Sequence, residues 1–96
     1  MFEINISEEG AIRLNGRLDS SNADAFRKVC DKIIDDTVLD FQHLDYISSA
    51  GLGILLSTQQ RLGTTGHTLH LVNLNNFIKD VFRYAGFERL FNIVSE

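Results

Sequence analysis

Residues 46–56, YISSAGLGILL, place two hydroxyls, an alanine and two glycines directly around the start of a run of large aliphatic side chains. Serine is favoured at the N-cap of a helix, and apolar side chains in the following turns pack against a sheet. The stretch therefore predicts a helix that runs from Ala50 to about Leu62. Gly51 and Gly53 each cost up to about 1 kcal/mol relative to alanine in a helix, so we expect them to permit close approach by a partner.

The chain before this helix carries the patterns of three strands. Apolar and polar residues alternate through 2–6 and again through 12–18, which predicts an antiparallel hairpin. Residues 37–41 form a short, mostly apolar run that predicts an inner strand. Residues 42–47 then lead from the end of that strand to the start of the helix.

A helix is predicted between the hairpin and the inner strand. We expect it over residues 21–35, with Ser21 and Asp24 spaced as a capping box. Its inward stripe is formed by Phe26, Val29, Cys30, Ile33 and Ile34.

The remainder of the chain predicts a fourth strand over residues 67–72, a third helix and a small edge strand within residues 90–94. The inward stripe of the second helix is formed by Leu52, Leu55, Leu56, Gln59 and Leu62. The third helix begins at an N-cap among Asn73, Asn75 and Asn76 and is closed by Gly86. Its predicted inward residues are Phe77, Ile78, Val81, Phe82 and Ala85.

This order of elements predicts an α/β fold. Strands joined through one helix are expected to be parallel, with right-handed crossovers. We therefore predict a mixed, mainly parallel sheet of four to five strands, with an N-terminal antiparallel hairpin and three to four helices. The pattern leaves open whether helices cover one face of the sheet or both.

Composition narrows the class of protein. The chain has 96 residues, 44% of them hydrophobic, which suits a single domain over residues 1–96 around one core. A formal net charge of −4 with scattered basic residues argues against nucleic acid or an anionic membrane as a partner. One cysteine, no apolar run of membrane-spanning length and no secretion signal favour a cytoplasmic location.

Patterns of catalysis and metal binding are weak. Residues 46–56 lack the Gly-x-Ser-x-Gly elbow of serine hydrolases and the lysine of a phosphate-binding loop. Cys30 lies on an apolar stripe, where a buried and inert thiol is expected. His67 and His70 are three residues apart on a predicted strand, so they point to opposite faces. We expect no catalysis, no metal and no cofactor.

Ser48 and Ser49 lie where the third strand ends and the second helix begins, the edge at which α/β sheets bind ligands and partners. From spacing alone, Ser49 is explained as well by N-capping as by a regulatory role. If the second and third strands are neighbours, residues 19–22 come close to Ser49. Asp45 lies along the same edge.

The segment Ile47-Ser48-Ser49-Ala50-Gly51-Leu52-Gly53 resembles the signature of STAS domains, in particular the small bacterial anti-sigma factor antagonists. The resemblance extends to residues 16–19, to residues 38–41, and to Phe82-x-x-x-Gly86-Phe87 with Leu90-Phe91. It implies a STAS-like fold and a protein that, when unphosphorylated, binds an anti-sigma factor with serine/threonine kinase activity and so releases a sigma factor. Phosphorylation of one serine by that kinase inactivates the protein, and a serine phosphatase resets it.

Carried over by position, the phosphorylated serine falls on Ser49, with Ser48 as the second choice because it stands where much of the family has aspartate. Asp19 matches an acidic position beside that site. The protein is expected to be a monomer when free. The predicted partner-binding residues are Asp19, Ser20, Ser21, Asn22, Asp45, Ile47, Ser48, Ser49, Ala50, Gly51, Gly53, Ile54, Ser57 and Arg61.

Two alternative functions stay open. One is a STAS subunit or scaffold of a transporter or other signalling complex that works without phosphorylation. The other is a domain that binds a small ligand, a nucleotide or a lipid, at the same helix N-terminus. The acceptor serine, which transport-associated relatives often lack, favours the phosphorylated antagonist.

Overall fold

The computed structural model describes residues 1–94. Its strands are β1 (Phe2–Ile6), β2 (Ile12–Leu18), β3 (Thr37–Ile47), β4 (Leu69–Val72) and β5 (Asn92–Ile93). Its helices are α1 (Ala23–Cys30), α2 (Ser49–Gly63) and α3 (Asn76–Tyr84). The predicted order of strands and helices is therefore confirmed, including the small last strand.

The five strands form one sheet in the order β1-β2-β3-β4-β5. β1 pairs with β2 antiparallel, and all other neighbours are parallel, which confirms the predicted mixed sheet. Each helical connection moves one strand further in the same direction, and right-handed crossovers of this kind place their helices on the same face. The topology thus decides what the sequence pattern left open: helices cover one face.

The core lies between that face and the helices. Phe26, Phe41 and Phe82 are fully buried, and they come from α1, β3 and α3 respectively. The rings of Phe41 and Phe82 meet edge-on at a centroid distance of 6.2 Å, which ties α3 to the middle of the sheet. The opposite face of the sheet carries exposed or half-buried side chains such as Arg13, Asp40 and His70.

α1 is shorter at both ends than the predicted range of residues 21–35. Its N-cap is Asn22, and the predicted capping box is wrong because the Ser21 hydroxyl donates to Asp19 Oδ1 at 2.6 Å instead. The helix ends at Cys30, so Ile34 leaves the inward stripe and is 74% exposed. Its predicted burial is therefore wrong.

β3 is longer than the predicted strand of residues 37–41 because it continues to pair with β2 as far as Ile47. Its register against β2 shifts twice, each time by an extra residue in β3. Such β-bulges change the side-chain alternation. They bring Leu39, Phe41, Leu44 and Ile47 to the same buried face, at a spacing that does not look like a strand in the sequence.

α2 begins at Ser49, one residue before its predicted start. Leu52, Leu55 and Leu62 are buried as predicted, and Leu56 is half-buried. Gln59 interrupts this stripe because its side chain bonds the start of β4: Gln59 Oε1 accepts from the Leu69 backbone N–H at 2.9 Å. β4 itself covers only Leu69–Val72 of the predicted range.

α3 has the predicted ends. The Asn75 side chain caps it by accepting from the Ile78 N–H at 2.9 Å, and Gly86 follows it with φ of +75°, where glycine is favoured. Ile78 and Phe82 are buried, but Phe77 is 51% exposed and Ala85 is exposed. The predicted inward placement of these last two residues is wrong. None of the helices within residues 1–94 is long and apolar enough to cross a membrane.

Candidate functional site

The carboxyl ends of β2 and β3 lie side by side. Leu18 and Ile47 are register partners, and the Ser48 backbone N–H donates to the Leu18 carbonyl at 2.8 Å. The loop of residues 19–22 and the turn into α2 therefore share one edge of the sheet. The second and third strands are thus neighbours, which was the condition for residues 19–22 to lie close to Ser49.

Ser48 is the residue that caps α2. Its backbone is extended (φ −88°, ψ 171°), and its hydroxyl accepts from the Gly51 N–H at 3.4 Å. Ser49 is the first helical residue and is exposed. Among residues 1–94, the Ser49 hydroxyl has no hydrogen-bond partner. The interpretation of Ser49 as an N-cap is therefore wrong, and its hydroxyl is left accessible.

The charge around Ser49 comes from two sources. The N-terminus of α2 is the positive end of a 15-residue helix, with no acidic side chain in its first turn. The neighbouring loop contributes Asp19, whose pKa is lowered mainly by hydrogen bonds from the Ser21 hydroxyl and backbone N–H, and further by the nearby Arg17 charge. Asp19 is thus a carboxylate at neutral pH, and Asp45 is exposed along the same strand end.

Hydrogen bonds hold the loop of residues 19–22 in place. The Asn22 side chain accepts from the Asp19 N–H at 2.9 Å and donates to the Arg17 carbonyl at 2.9 Å. Ser20 and Ser21 remain exposed. The loop therefore presents a fixed, polar surface next to the start of α2.

The two glycines of α2 have different roles. Gly51 is buried, and a Cβ there would lie 2.8 Å from Leu18 Cγ and 3.0 Å from Ile47 Cγ1. Packing against Leu18 and Ile47 therefore accounts for this glycine, and close approach by a partner is not needed to explain Gly51. A Cβ on Gly53 would meet nothing within 4 Å, and Gly53 is exposed.

The structure divides the predicted contact residues at the end of β3 and in α2 into two groups. Ile47 and Ile54 are 2% and 4% exposed and lie in the core with Gly51, so their side chains do not reach a partner. Ser49, Gly53 and Ser57 are exposed and follow one another at intervals of four residues, which places them on one face. Ala50 is half-buried at the margin of that face.

Arg61 has a structural task that the sequence did not reveal. Its guanidinium donates to the carbonyls of Ile33 and Cys30 at 2.7 and 2.8 Å. These carbonyls lie at and just beyond the end of α1, where a cation is favourable. Arg61 was predicted as a partner contact, and in the structure it links the end of α1 to α2.

Three side chains near the site were absent from the predicted surface. The Arg17 guanidinium carbon lies 4.3 Å from the centroid of the Tyr46 ring, and Tyr46 stacks on Phe77 with centroids 6.2 Å apart. The sequence carried no clear signal for Phe77, because helical periodicity does not fix the width of the buried stripe of α3.

The remaining candidate groups do not meet at this edge. Burial raises the pKa of the Cys30 thiol from its ordinary 9.0 to about 11, so the thiol is protonated and inert at neutral pH. His67 Nδ1 lies 3.3 Å from Asp36 Oδ1, whereas His70 contacts Asn92. Within residues 1–94, no three potential metal-ligating side chains of His, Cys, Asp or Glu come together.

Known proteins resemble this chain in sequence and in fold. The STAS domain model matches residues 3–96. The chain is 33% identical over 86 residues to BtrV of Bordetella bronchiseptica, which is named a candidate anti-sigma factor antagonist. That match covers 85% of this chain and 74% of BtrV.

Solved structures share the fold. A candidate anti-sigma factor antagonist of Thermotoga maritima superposes with a TM-score of 0.81 at 23% identity, over 100% of this chain and 87% of that one. The anti-sigma factor antagonist SpoIIAA of Bacillus is similar in its unphosphorylated form (TM-score 0.73, 16% identity, 100% and 89% covered) and in its phosphorylated form (0.70, 18%, 100% and 93%). The chain belongs to the STAS domain family.

Proposed function

We propose that this protein is an anti-sigma factor antagonist controlled by phosphorylation of Ser49. In the unphosphorylated state it binds an anti-sigma factor with serine kinase activity and so releases a sigma factor. The single observation that carries this proposal is that the two adjacent serines have different roles. Ser48 caps α2, and Ser49 presents an exposed hydroxyl at the positive end of the helix.

The likeness to BtrV supports the choice of antagonist, and SpoIIAA supplies a precedent for phosphorylation within the same fold. The partners are an anti-sigma factor kinase and a serine phosphatase, and we place the protein in the cytoplasm as a monomer when free. Residues 1–96 act as one STAS domain.

A phosphate on Ser49 would change the surface and leave the fold in place. It adds about −1.5 to −2 charge next to backbone N–H groups of the first helical turn and the positive end of the helix dipole. The exposed Ser49 hydroxyl makes no hydrogen bond within residues 1–94, and the cap on Ser48 stays. The phosphorylated protein is therefore expected to remain folded.

The same phosphate would weaken a partner interface. A protein packed over Ser49 and Gly53 would meet added bulk, bound water and negative charge, with the Asp19 carboxylate close by. A loss of about 3 to 4 kcal/mol weakens binding by two to three powers of ten. Such a loss is sufficient to release the partner.

The protein acts as a substrate of the kinase in this scheme. A nucleophilic serine needs a hydrogen-bonded base, and within residues 1–94 the Ser49 hydroxyl is not bonded to one. A hydroxyl that is exposed and unpaired is instead open to the active site of another protein.

The test is phosphorylation by purified anti-sigma factor kinases from the same genome, one at a time, with ATP. Mass spectrometry should locate a single phosphate on Ser49. The variant Ser48→Ala serves as the control and should still be modified, because it removes the cap and keeps the acceptor. Phosphate on Ser48, on another residue or on none would contradict the proposal.

A further inference from the structure

Arg17, Tyr46 and Phe77 form a row that we call the aromatic row. The Arg17 guanidinium lies over the Tyr46 ring at 4.3 Å, and the planes of Tyr46 and Phe77 are inclined by only 23°. Phe77 is 51% exposed, so one end of the row is an apolar surface in contact with water.

The backbone around the aromatic row holds it in one arrangement. Arg17 and Tyr46 are register partners on β2 and β3. The Asn75 side chain donates to the Leu44 carbonyl at 3.1 Å and so fixes the start of α3, where Phe77 lies, against β3. A surface that is ordered before binding loses little conformational entropy when a partner arrives.

The packing of α3 does not account for the exposure of Phe77. Ile78 and Phe82 already anchor this helix in the core. Arg17 forms no direct salt bridge within residues 1–94: its charge acts on the nearby Asp19 carboxylate without a contact, so its guanidinium can still pair with a carboxylate of a partner. Aromatic residues and arginine are the types most enriched where binding energy concentrates in protein interfaces.

The aromatic row adjoins the edge that carries Ser49. Tyr46 is two residues before Ser48, and the Ser48 N–H is bonded to the carbonyl of Leu18, the neighbour of Arg17. A protein large enough to cover Ser49 and Gly53 can therefore reach the row without a separate binding event.

We infer that the aromatic row is a second contact point for the anti-sigma factor that binds at Ser49. The row receives an apolar side chain of that protein on Tyr46 and Phe77, and a carboxylate next to it pairs with Arg17. This inference rests on the proposed function. Because the contact also helps to present Ser49 to the kinase, loss of the row slows phosphorylation as well as weakening binding.

The experiment compares Phe77→Ala with Tyr84→Ala, using the purified kinase that phosphorylates the unmodified protein. Tyr84 is a matched control because it is an aromatic residue of the same helix, 84% exposed and near Arg83. Calorimetric titration should show about 10- to 100-fold weaker binding for Phe77→Ala and less than about twofold for Tyr84→Ala. Arg17→Gln should weaken binding and reduce its dependence on salt, because a charge pair is lost.

The outcomes separate the two proposals. If the unmodified protein binds a kinase and both Phe77→Ala and Arg17→Gln bind it equally well, the aromatic row is not a contact, while the proposed function stands. If the unmodified protein binds no kinase, both proposals fall. Thermal unfolding checks that Phe77→Ala is folded; should it not be, Arg17→Gln decides, because its side chain is exposed.

Discussion

Replacement of Gly53 by alanine should stabilise the fold and weaken partner binding. Gly53 lies inside α2, and a Cβ there would meet nothing within 4 Å. Alanine is favoured over glycine in a helix interior by about 0.8–1.0 kcal/mol. For a domain of this size, that gain raises the unfolding temperature by about 4–8 °C.

The same substitution at Gly51 should have the opposite effect on stability. Its Cβ would lie 2.8 and 2.9 Å from two atoms of Leu18 and 3.0 Å from Ile47 Cγ1, and both of these side chains are buried. Overpacking of this kind costs about 1–3 kcal/mol, which equals or exceeds the gain in helix propensity of about 0.8–1.0 kcal/mol. Gly51→Ala should therefore unfold at a temperature equal to or lower than that of the unmodified protein.

Two measurements test this pair. Circular dichroism during heating gives the unfolding temperatures, and calorimetric titration with the purified kinase gives the dissociation constants. Gly63→Ala is the control, since Gly63 ends the same helix, is exposed and has open space for a Cβ. We expect Gly53→Ala to weaken binding by about tenfold, or 1.4 kcal/mol, and Gly63→Ala to leave it unchanged.

Two results would refute the reasoning about Gly53. If Gly53→Ala lowers the unfolding temperature, the space around this residue is not open. If the variant is stabilised and binds the kinase as tightly as the unmodified protein, Gly53 does not serve partner approach.

Three further predictions concern Ser49, Arg61 and Cys30. Ser49→Asp should fold normally and bind the kinase about 10²- to 10³-fold more weakly, whereas Ser49→Ala should bind and resist phosphorylation; equal affinity of both variants would move the interface elsewhere. Arg61→Ala should lower the free energy of unfolding in urea by about 1–3 kcal/mol by removing its two bonds to α1, with kinase binding unchanged, and Arg61→Lys should recover only part of that loss. Burial raises the pKa of the Cys30 thiol from its ordinary 9.0 to about 11, so the unfolded chain ionises first and the free energy of unfolding falls as the pH rises from 9 towards 11. Urea unfolding of Cys30→Ala between pH 8 and pH 11 should show a weaker dependence of this free energy on pH. An unchanged dependence would disprove the burial effect.

Features encoded by residues close together in the chain could be predicted. The alternation through 2–6 and 12–18 depends only on which residues face the core, and the hairpin followed from it. The limits of α3 followed from Asn75 and Gly86, because capping is a contact between residues a few positions apart.

Features that depend on distant residues were missed. α1 ends at Cys30, where the guanidinium of Arg61, 31 residues away in the chain, donates a hydrogen bond to the Cys30 carbonyl. The bulges of β3 exist only against β2, so the pattern of residues 42–47 did not look like a strand. Phe77 was placed inside because helical periodicity alone does not say how wide the buried stripe of α3 is.

The stretch YISSAGLGILL by itself determined that a helix starts at the end of a strand and that its first turn presents hydroxyls, since capping and periodicity are local properties. Only the tertiary structure decided which hydroxyl caps and which is accessible, and which glycine serves the fold. Those distinctions depend on β2: its Leu18 fills the space beside Gly51 and bonds the Ser48 N–H, while Ser49 and Gly53 face away from it into solvent.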